Sequence, residues 1–274
     1  MLLIGLSGSI ATGKSTVSSI LSSPPHNLPI IDADVLARKV VEPGTRGYRE
    51  IVQYFGPTTP DLLVASSETM PEAGPDGKGR PLNRPALGVR VFGDSKEKVA
   101  DRTRLNQIVH PAVRWEMFMT VLRCYLSGHW AVVLDIPLLF ESSLDRFCGV
   151  VVVVAVAEPE TQMERLTARD GHLSLKQAED RVRSQMDVRL KAARCAARGE
   201  GKGVVLWNDG SRGELKVQVD AAVENLRKSR PTWWSWLLLA CPPLAMAVSA
   251  VRVYQNVIIN RRWKEHEKEV VAKL

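Results

Sequence analysis

Apolar residues fall into short unbroken runs that alternate with stretches at helical spacing. Leu2, Leu3, Ile4 and Leu6 form the first run, stopped at Ser7-Gly8, and Lys14 to Leu21 resumes with the period of a helix. Leu28 to Ile31 predicts a second strand ending in Asp32-Ala33-Asp34, followed by a helix from Val35 to Val41 that Glu42-Pro43-Gly44 breaks. Tyr48 to Phe55 continues a helical layer, whereas 57–81, with five prolines and three glycines, predicts a surface loop. Past it, Asn83 can cap a helix through Phe92, and Asp94 with Glu97 has capping-box spacing for a helix through Ile108. Pro111 opens a further helix toward Leu126. Ala131 to Ile136 and Val150 to Val156 are apolar, β-branched runs of the length expected for strands covered on both faces. Helices over 158–168, 178–197 and 214–227 and a short strand over 204–207 complete the alternation. Five short strands separated by helices predict an α/β fold around a parallel, doubly wound sheet.

The pattern changes after Pro231. Trp233 to Val251 carries no charge over 19 residues, near the ~20 needed to cross a bilayer, and four of the seven tryptophans lie in this tail. Pro242-Pro243 near its middle, with Arg227, Lys228 and Arg230 before it and Arg252, Arg261, Arg262 and Lys264 after, also suits a hairpin dipping into one leaflet. The bland alternative is a helix packed on the core.

Charge sharpens this division. The net charge is +7, but from Arg227 onward there are nine basic and three acidic residues, so the first 226 residues are close to neutral. A near-neutral body argues against a nucleic-acid face. The four cysteines show no CxxC spacing and the five histidines no zinc pattern, so a reducing compartment without structural metal is expected. The N-terminus lacks a basic n-region and runs directly into a glycine-rich loop, which argues against a cleaved secretory signal.

That loop is the strongest chemical signal. Gly8-Ser9-Ile10-Ala11-Thr12-Gly13-Lys14-Ser15 fits G-x-x-x-x-G-K-[ST] between a strand and a helix. Its glycines let main-chain N–H groups turn toward phosphate oxygens at a positive helix end. Lys14 is expected to reach the β- and γ-phosphates of ATP and Ser15 to ligate Mg²⁺. No Asn-Lys-x-Asp loop for guanine is present. Asp32 and Asp34 follow the second strand, where carboxyl ends face a ligand crevice; each can serve a hydroxyl acceptor or cap the next helix. Asp135, after the strand at 131, resembles a Walker-B carboxylate or is structural. Arg165 and Arg169 lie four apart on one helix face, able to stack on a base and clamp phosphate, or simply solvated. The segment 170–186, with Gly171, Arg181, Arg183 and Gln185, reads as a lid.

The stretches Gly5-Leu6-Ser7-Gly8 to Ser15-Thr16-Val17, Asp32-Ala33-Asp34 with Ala37-Arg38, Val41 to Gly44, Asn106 to Pro111, Pro137-Leu138-Leu139-Phe140-Glu141, and Arg169-Asp170-Gly171 with Gln185 together resemble the dephospho-coenzyme A kinases from Met1 to about Gly210. The resemblance implies a P-loop core over 1–230, a helical acceptor-binding insert at about 45–128 and a lid at about 170–186. It implies transfer of the ATP γ-phosphate to the ribose 3′-hydroxyl of dephospho-CoA. It makes Asp34 the base, Lys14 the phosphate clamp and Arg169 a lid residue. Gly8 to Thr16, Arg165 and Asn208 then serve ATP, and Asp32, Arg38, His110 and Glu141 the acceptor. The loop at 57–81 and the glycine-rich approach over 198–203 depart from the family pattern. Other hydroxyl acceptors, or a catalytically silent nucleotide sensor, are the rival readings.

The tail, 231–274, lies outside the resemblance, although membrane-tethered eukaryotic members have a similar layout. A hydrophobic helix through 233–259 is expected to hold a monomeric enzyme, its catalytic domain facing the cytosol, on the endoplasmic reticulum, a lipid droplet or mitochondria. Its deletion is expected to leave a soluble, active kinase.

Overall fold

A computed structural model describes residues 1–171, 174–229 and 232–271. Along the chain run β1 (Leu2–Gly8), α1 (Lys14–Ser22), β2 (Ile30–Asp32), α2 (Ala33–Lys39), α3 (Arg46–Phe55), α4 (Arg84–Val91) and α5 (Lys96–Leu126). They are followed by β3 (Ala131–Asp135), β4 (Val150–Ala155), α6 (Pro159–Arg169), α7 (Leu175–Arg183), α8 (Val188–Ala196), β5 (Gly203–Trp207), α9 (Arg212–Lys228), α10 (Thr232–Ala240) and α11 (Pro242–Val271). The strands form one sheet in the order β2-β3-β1-β4-β5. β1 pairs in parallel with β3 (Leu2 opposite Ala131) and β4 (Ile4 opposite Val150), and β4 with β5. Every residue of β3 and β4 is buried, which is why both read as continuous apolar runs rather than alternating ones.

The chain divides into two compact units, Met1–Ile31 with Arg123–Leu274, and Asp32–Leu122. In the first, Leu2, Ile4 and Leu6 of β1, Val150, Val152 and Val154 of β4, and Leu215, Val219 and Val223 of α9 share one apolar core. In the second, Tyr48, Ile51 and Phe55 of α3 pack with Leu87 and Val91 of α4 and Ile108 of α5. Leu62 and Leu82 join this cluster, and Leu63 bridges Leu82, so the proline-rich 57–81 segment is pinned at its ends to a core.

Local chemistry revises several boundaries. Asn83 caps α4 as expected, accepting from the Ala86 N–H. Before α5 it is Ser95, not Asp94, whose side chain accepts from a first-turn amide, that of Lys98. α5 runs unbroken for 31 residues through Pro111, where two helices are predicted. The single helix predicted over 178–197 is two, because Asp187 caps α8 by accepting from the Arg189 and Leu190 amides.

The tail departs most. Among the described residues no helix is long and apolar enough to cross a membrane. The uncharged stretch breaks at Cys241, before Pro242-Pro243, where the missing proline N–H suits the start of a new helix. α11 then brings Asn256 and Trp263, each 5% exposed, into the first unit. Asn256 Nδ2 donates to the carbonyls of Arg146 and Cys148, both 2.9 Å, and its Oδ1 accepts from Arg198 at 2.9 Å. Arg198 in turn pairs with the fully buried Asp145 at 2.9 Å. The expected membrane-spanning helix is therefore replaced by a helix pair whose second member completes a buried polar network. Removing 231–274 removes those core groups. The expected boundary at Arg230-Pro231, and His172 and Leu173 of the lid, lie outside the described residues, as does the side chain of Arg183.

Candidate active site

β1 delivers the chain at Gly8 into a loop that returns as α1. Gly13 sits at φ +94° as the N-cap of α1. A Cβ there would stand 2.3 Å from Asn208 Nδ2, so both backbone angle and space require glycine. A Cβ on Gly8 would meet the Val154 carbonyl oxygen at 2.9 Å.

The loop is held by residues far along the chain. Asn208 Nδ2 donates to the Thr12 carbonyl at 2.9 Å, and Gln162 Nε2 donates to the Ile10 carbonyl at 2.8 Å. The Ile10 N–H donates to Gln185 Oε1 at 3.1 Å, and Ser9 Oγ donates to the Met186 carbonyl at 3.2 Å. Arg165 Nη1 donates to the Asn208 carbonyl at 2.7 Å, fixing the turn that carries Asn208. These bonds satisfy the loop's outward carbonyls and leave the helix-end amides of α1 for an anion. Ser15 and Thr16 stand in the first turn of α1, with Ser15 exposed.

Lys14 forms an ion pair with Asp135, the buried last residue of β3. Beside it, the side chain of Lys191 on α8 is fully buried; its Nζ donates to the Pro137 carbonyl at 3.0 Å and pairs with Glu141 at 3.2 Å. Burial pulls the Lys191 pKa below the ordinary lysine value, Glu141 opposes that, and the like charge of Lys14 adds to it. In the lid region Arg169 grips Asp170 through Nε and Nη2, both at 3.0 Å, and Arg181 reaches the same carboxylate at 3.2 Å. The bond to Asp170 raises the Arg169 pKa further.

Within the second unit, Asp32 is the N-cap of α2, its Oδ1 accepting from the Asp34 and Val35 amides at 2.8 and 3.1 Å. Asp34 is thereby excused from capping. Its carboxylate has no hydrogen bond or ion pair among the described residues, and it lines a cavity of about 330 Å³ with Arg38, Arg84, Leu87, Leu105 and Val109. Arg38 follows Asp34 by one helical turn, and Arg84 opens α4. His110 is exposed on α5, next to Val109.

The structure thus brings together Gly8 to Lys14, Arg165 and Asn208 in one unit, and Asp34 with Arg38 in the other. It assigns Asp32 to a cap, and it commits the Glu141 carboxylate to Lys191. Sequence reasoning missed Arg84, Gln162 and Lys191. Arg84 reads as a first-turn residue behind a capping Asn83, and Lys191 lies in a charged helical stretch that looks solvated; neither carries a local signal. The four cysteines are free, and burial pushes the Cys148 and Cys195 thiols up to about 12, far from a reactive thiolate.

A parallel sheet whose first strand feeds a glycine-closed anion cradle, with a lysine at the foot of the following helix, defines a P-loop phosphotransferase. The family model for dephospho-CoA kinase matches residues 2–211. The chain is 38% identical to the dephospho-CoA kinase of Saccharomyces cerevisiae over 271 residues, covering 99% of this chain and 100% of the yeast one. It is 42% identical to that of Bacillus cereus over 222 residues, 81% of this chain and 96% of the relative. Among solved structures, one titled TT1252 from Thermus thermophilus matches with a TM-score of 0.61 at 30% identity, over 82% of this chain and 97% of that one. The dephospho-CoA kinase from Campylobacter jejuni has the same fold, with a TM-score of 0.58 at 24% identity over 83% and 98%. The chain belongs to the dephospho-CoA kinase family. Its reaction is the ATP-dependent phosphorylation of the ribose 3′-hydroxyl of dephospho-CoA.

Proposed function

We propose the following division of labour for that reaction. The cradle around Gly13 and the amides opening α1 take the phosphates of ATP, and Lys14 moves from Asp135 to the β- and γ-phosphate oxygens. Asp34 accepts the proton of the attacking 3′-hydroxyl; the observation that carries this role is that Asp32 supplies the α2 cap, so the Asp34 carboxylate stands uncommitted in a cavity. Arg38 and Arg84, with no ion-pair partner among the described residues, suit the anionic part of the acceptor, and Leu87, Leu105 and Val109 its apolar arm. Arg169, now held by Asp170, is the lid cation available to the transferring group.

Mg²⁺ fits the donors present. Ser15 would bind it directly and Asp135 through water, with phosphates and waters supplying the rest, as is usual for this ion. When bound, the ion neutralises charge on the β- and γ-oxygens.

The test is transfer of labelled γ-phosphate to dephospho-CoA by wild type and Asp34→Asn. Loss of about 10²-fold or more in kcat with ATP affinity preserved supports the assignment, by the scale of general-base removal. Undiminished kcat in the variant refutes it.

A further inference from the structure

A lysine with no exposed side-chain surface is rare unless its charge is used or tightly compensated. Lys191 is such a residue, and its two polar partners, Pro137 and Glu141, lie in the segment that follows β3. Pro137, whose carbonyl accepts from Lys191 Nζ at 3.0 Å, follows Asp135 by two residues and also accepts from Ser7 Oγ at 3.0 Å. Ser7 is the last residue before the glycine loop begins. α8, which carries Lys191, starts directly after Gln185 and Met186, the two residues bonded to that loop. One carbonyl oxygen therefore gathers the end of β1, the end of β3 and the root of the lid.

The charges are ordered as well as the bonds. Lys14 pairs with Asp135 and Lys191 with Glu141, and both ammonium groups are held at the turn that ends β3, since Pro137, which accepts from Lys191, follows Asp135 by two residues. Lys14 must leave Asp135 to meet a nucleotide. A second, immobile ammonium lowers the cost of that departure, since it opposes the arrival of Lys14 at Asp135 and holds positive potential on the carboxylate afterwards.

We infer that Lys191 is a positioning residue for phosphoryl transfer: fixed between the Pro137 carbonyl and Glu141, it sets the β3 turn and biases Lys14 from Asp135 toward the β- and γ-phosphates of ATP. This rests on the glycine loop being the ATP site; failure of that premise would appear separately, as wild-type protein that does not bind ATP.

The experiment measures dissociation constants of ATP and AMP by calorimetry for wild type, Lys191→Met, Lys14→Met and the double variant. Methionine approximates the volume of lysine without its charge; because removing one partner of a buried pair is destabilising, a thermal melt first shows that each variant is folded at the temperature of the titration. Lys191→Met is expected to weaken ATP about tenfold while AMP, which lacks the phosphates Lys14 serves, binds as before. In the double variant the two effects are expected to fall short of additive, as for groups that act through one another. Equal weakening of ATP and AMP, or full additivity, overturns the inference and leaves Lys191 a packing residue. Should the methionine variant not fold, Lys191→Gln, which keeps a donor for the Pro137 carbonyl but removes the charge, decides: ATP about tenfold weaker with AMP unchanged supports the inference, and wild-type ATP affinity or equal weakening of ATP and AMP overturns it.

Discussion

The two units build their sites in opposite ways. In the nucleotide unit nearly every polar group around the loop already has a partner: Gln162, Gln185 and Asn208 hold its backbone, Lys14 rests on Asp135, and Lys191 is buried behind them. In the helical unit the key groups wait. Asp34, Arg38 and Arg84 rim a cavity without engaging one another. A phosphate cradle needs N–H vectors fixed before the anion arrives, because reorganising them during reaction would cost what they contribute. A flexible acceptor is met more cheaply by exposed charges over an apolar floor, where little must be broken on binding. Mutations in the first site should therefore cost nucleotide affinity and often stability together, whereas those in the second should cost acceptor kinetics alone.

The sharpest way to break that contrast is Gly13→Ala. The added methyl meets Asn208 at a positive φ, so kcat/KM for ATP should fall about 10²–10³-fold, the scale of losing a preorganised donor, and wild-type kinetics would end the argument for a rigid cradle. Arg84→Ala should raise KM for dephospho-CoA about tenfold or more without moving Tm or KM for ATP, as expected from loss of one charge-assisted bond. A shifted Tm with unchanged KM would make Arg84 structural. Asn208→Ala, which frees the Thr12 carbonyl, should weaken ATP about three- to tenfold, seen in titration, with the acceptor KM unmoved.

Asn256→Ala reaches the nucleotide unit from behind. It leaves Arg198 and two backbone carbonyls short of a partner in a buried site, so urea unfolding should register a loss of about 1–3 kcal/mol. The smallest effect concerns pH. With its pKa lowered in the folded state by burial, Lys191 binds fewer protons folded than unfolded between that lowered value and the ordinary lysine value. Its contribution to stability therefore rises with pH across the window. The stability of wild type relative to Lys191→Met, from urea unfolding, should rise with pH across that window; a fall would mean that the ammonium is better solvated than its burial indicates.

What could be read from residue order follows the same divide. The strands and the loop were legible because both are local: β1, β3 and β4 are unbroken apolar runs, and the loop's residues lie within eight positions of one another. The grip on the loop was not, since Gln162 and Asn208 reach it from 152 and 196 residues away. Asp34 was separable from Asp32 only once the cap was seen, because either carboxylate can serve an α2 N-terminus. The tail misled for a physical reason. Hydropathy averages over a stretch and cannot register that the run breaks at Pro242-Pro243, nor that Asn256, farther along the second helix, finds three partners in a buried site. Continuity of α5 through Pro111 was equally hidden, as proline weakens a helix without obliging it to stop.

The long reach of Asn208 bears on how the enzyme is made. A ribosome releases the glycine motif among its first products, yet the side chain that steadies Thr12 is added almost two hundred residues later. A nascent or prematurely terminated polypeptide ending before that point displays the motif without its grip, so it should be a poor competitor for cellular ATP.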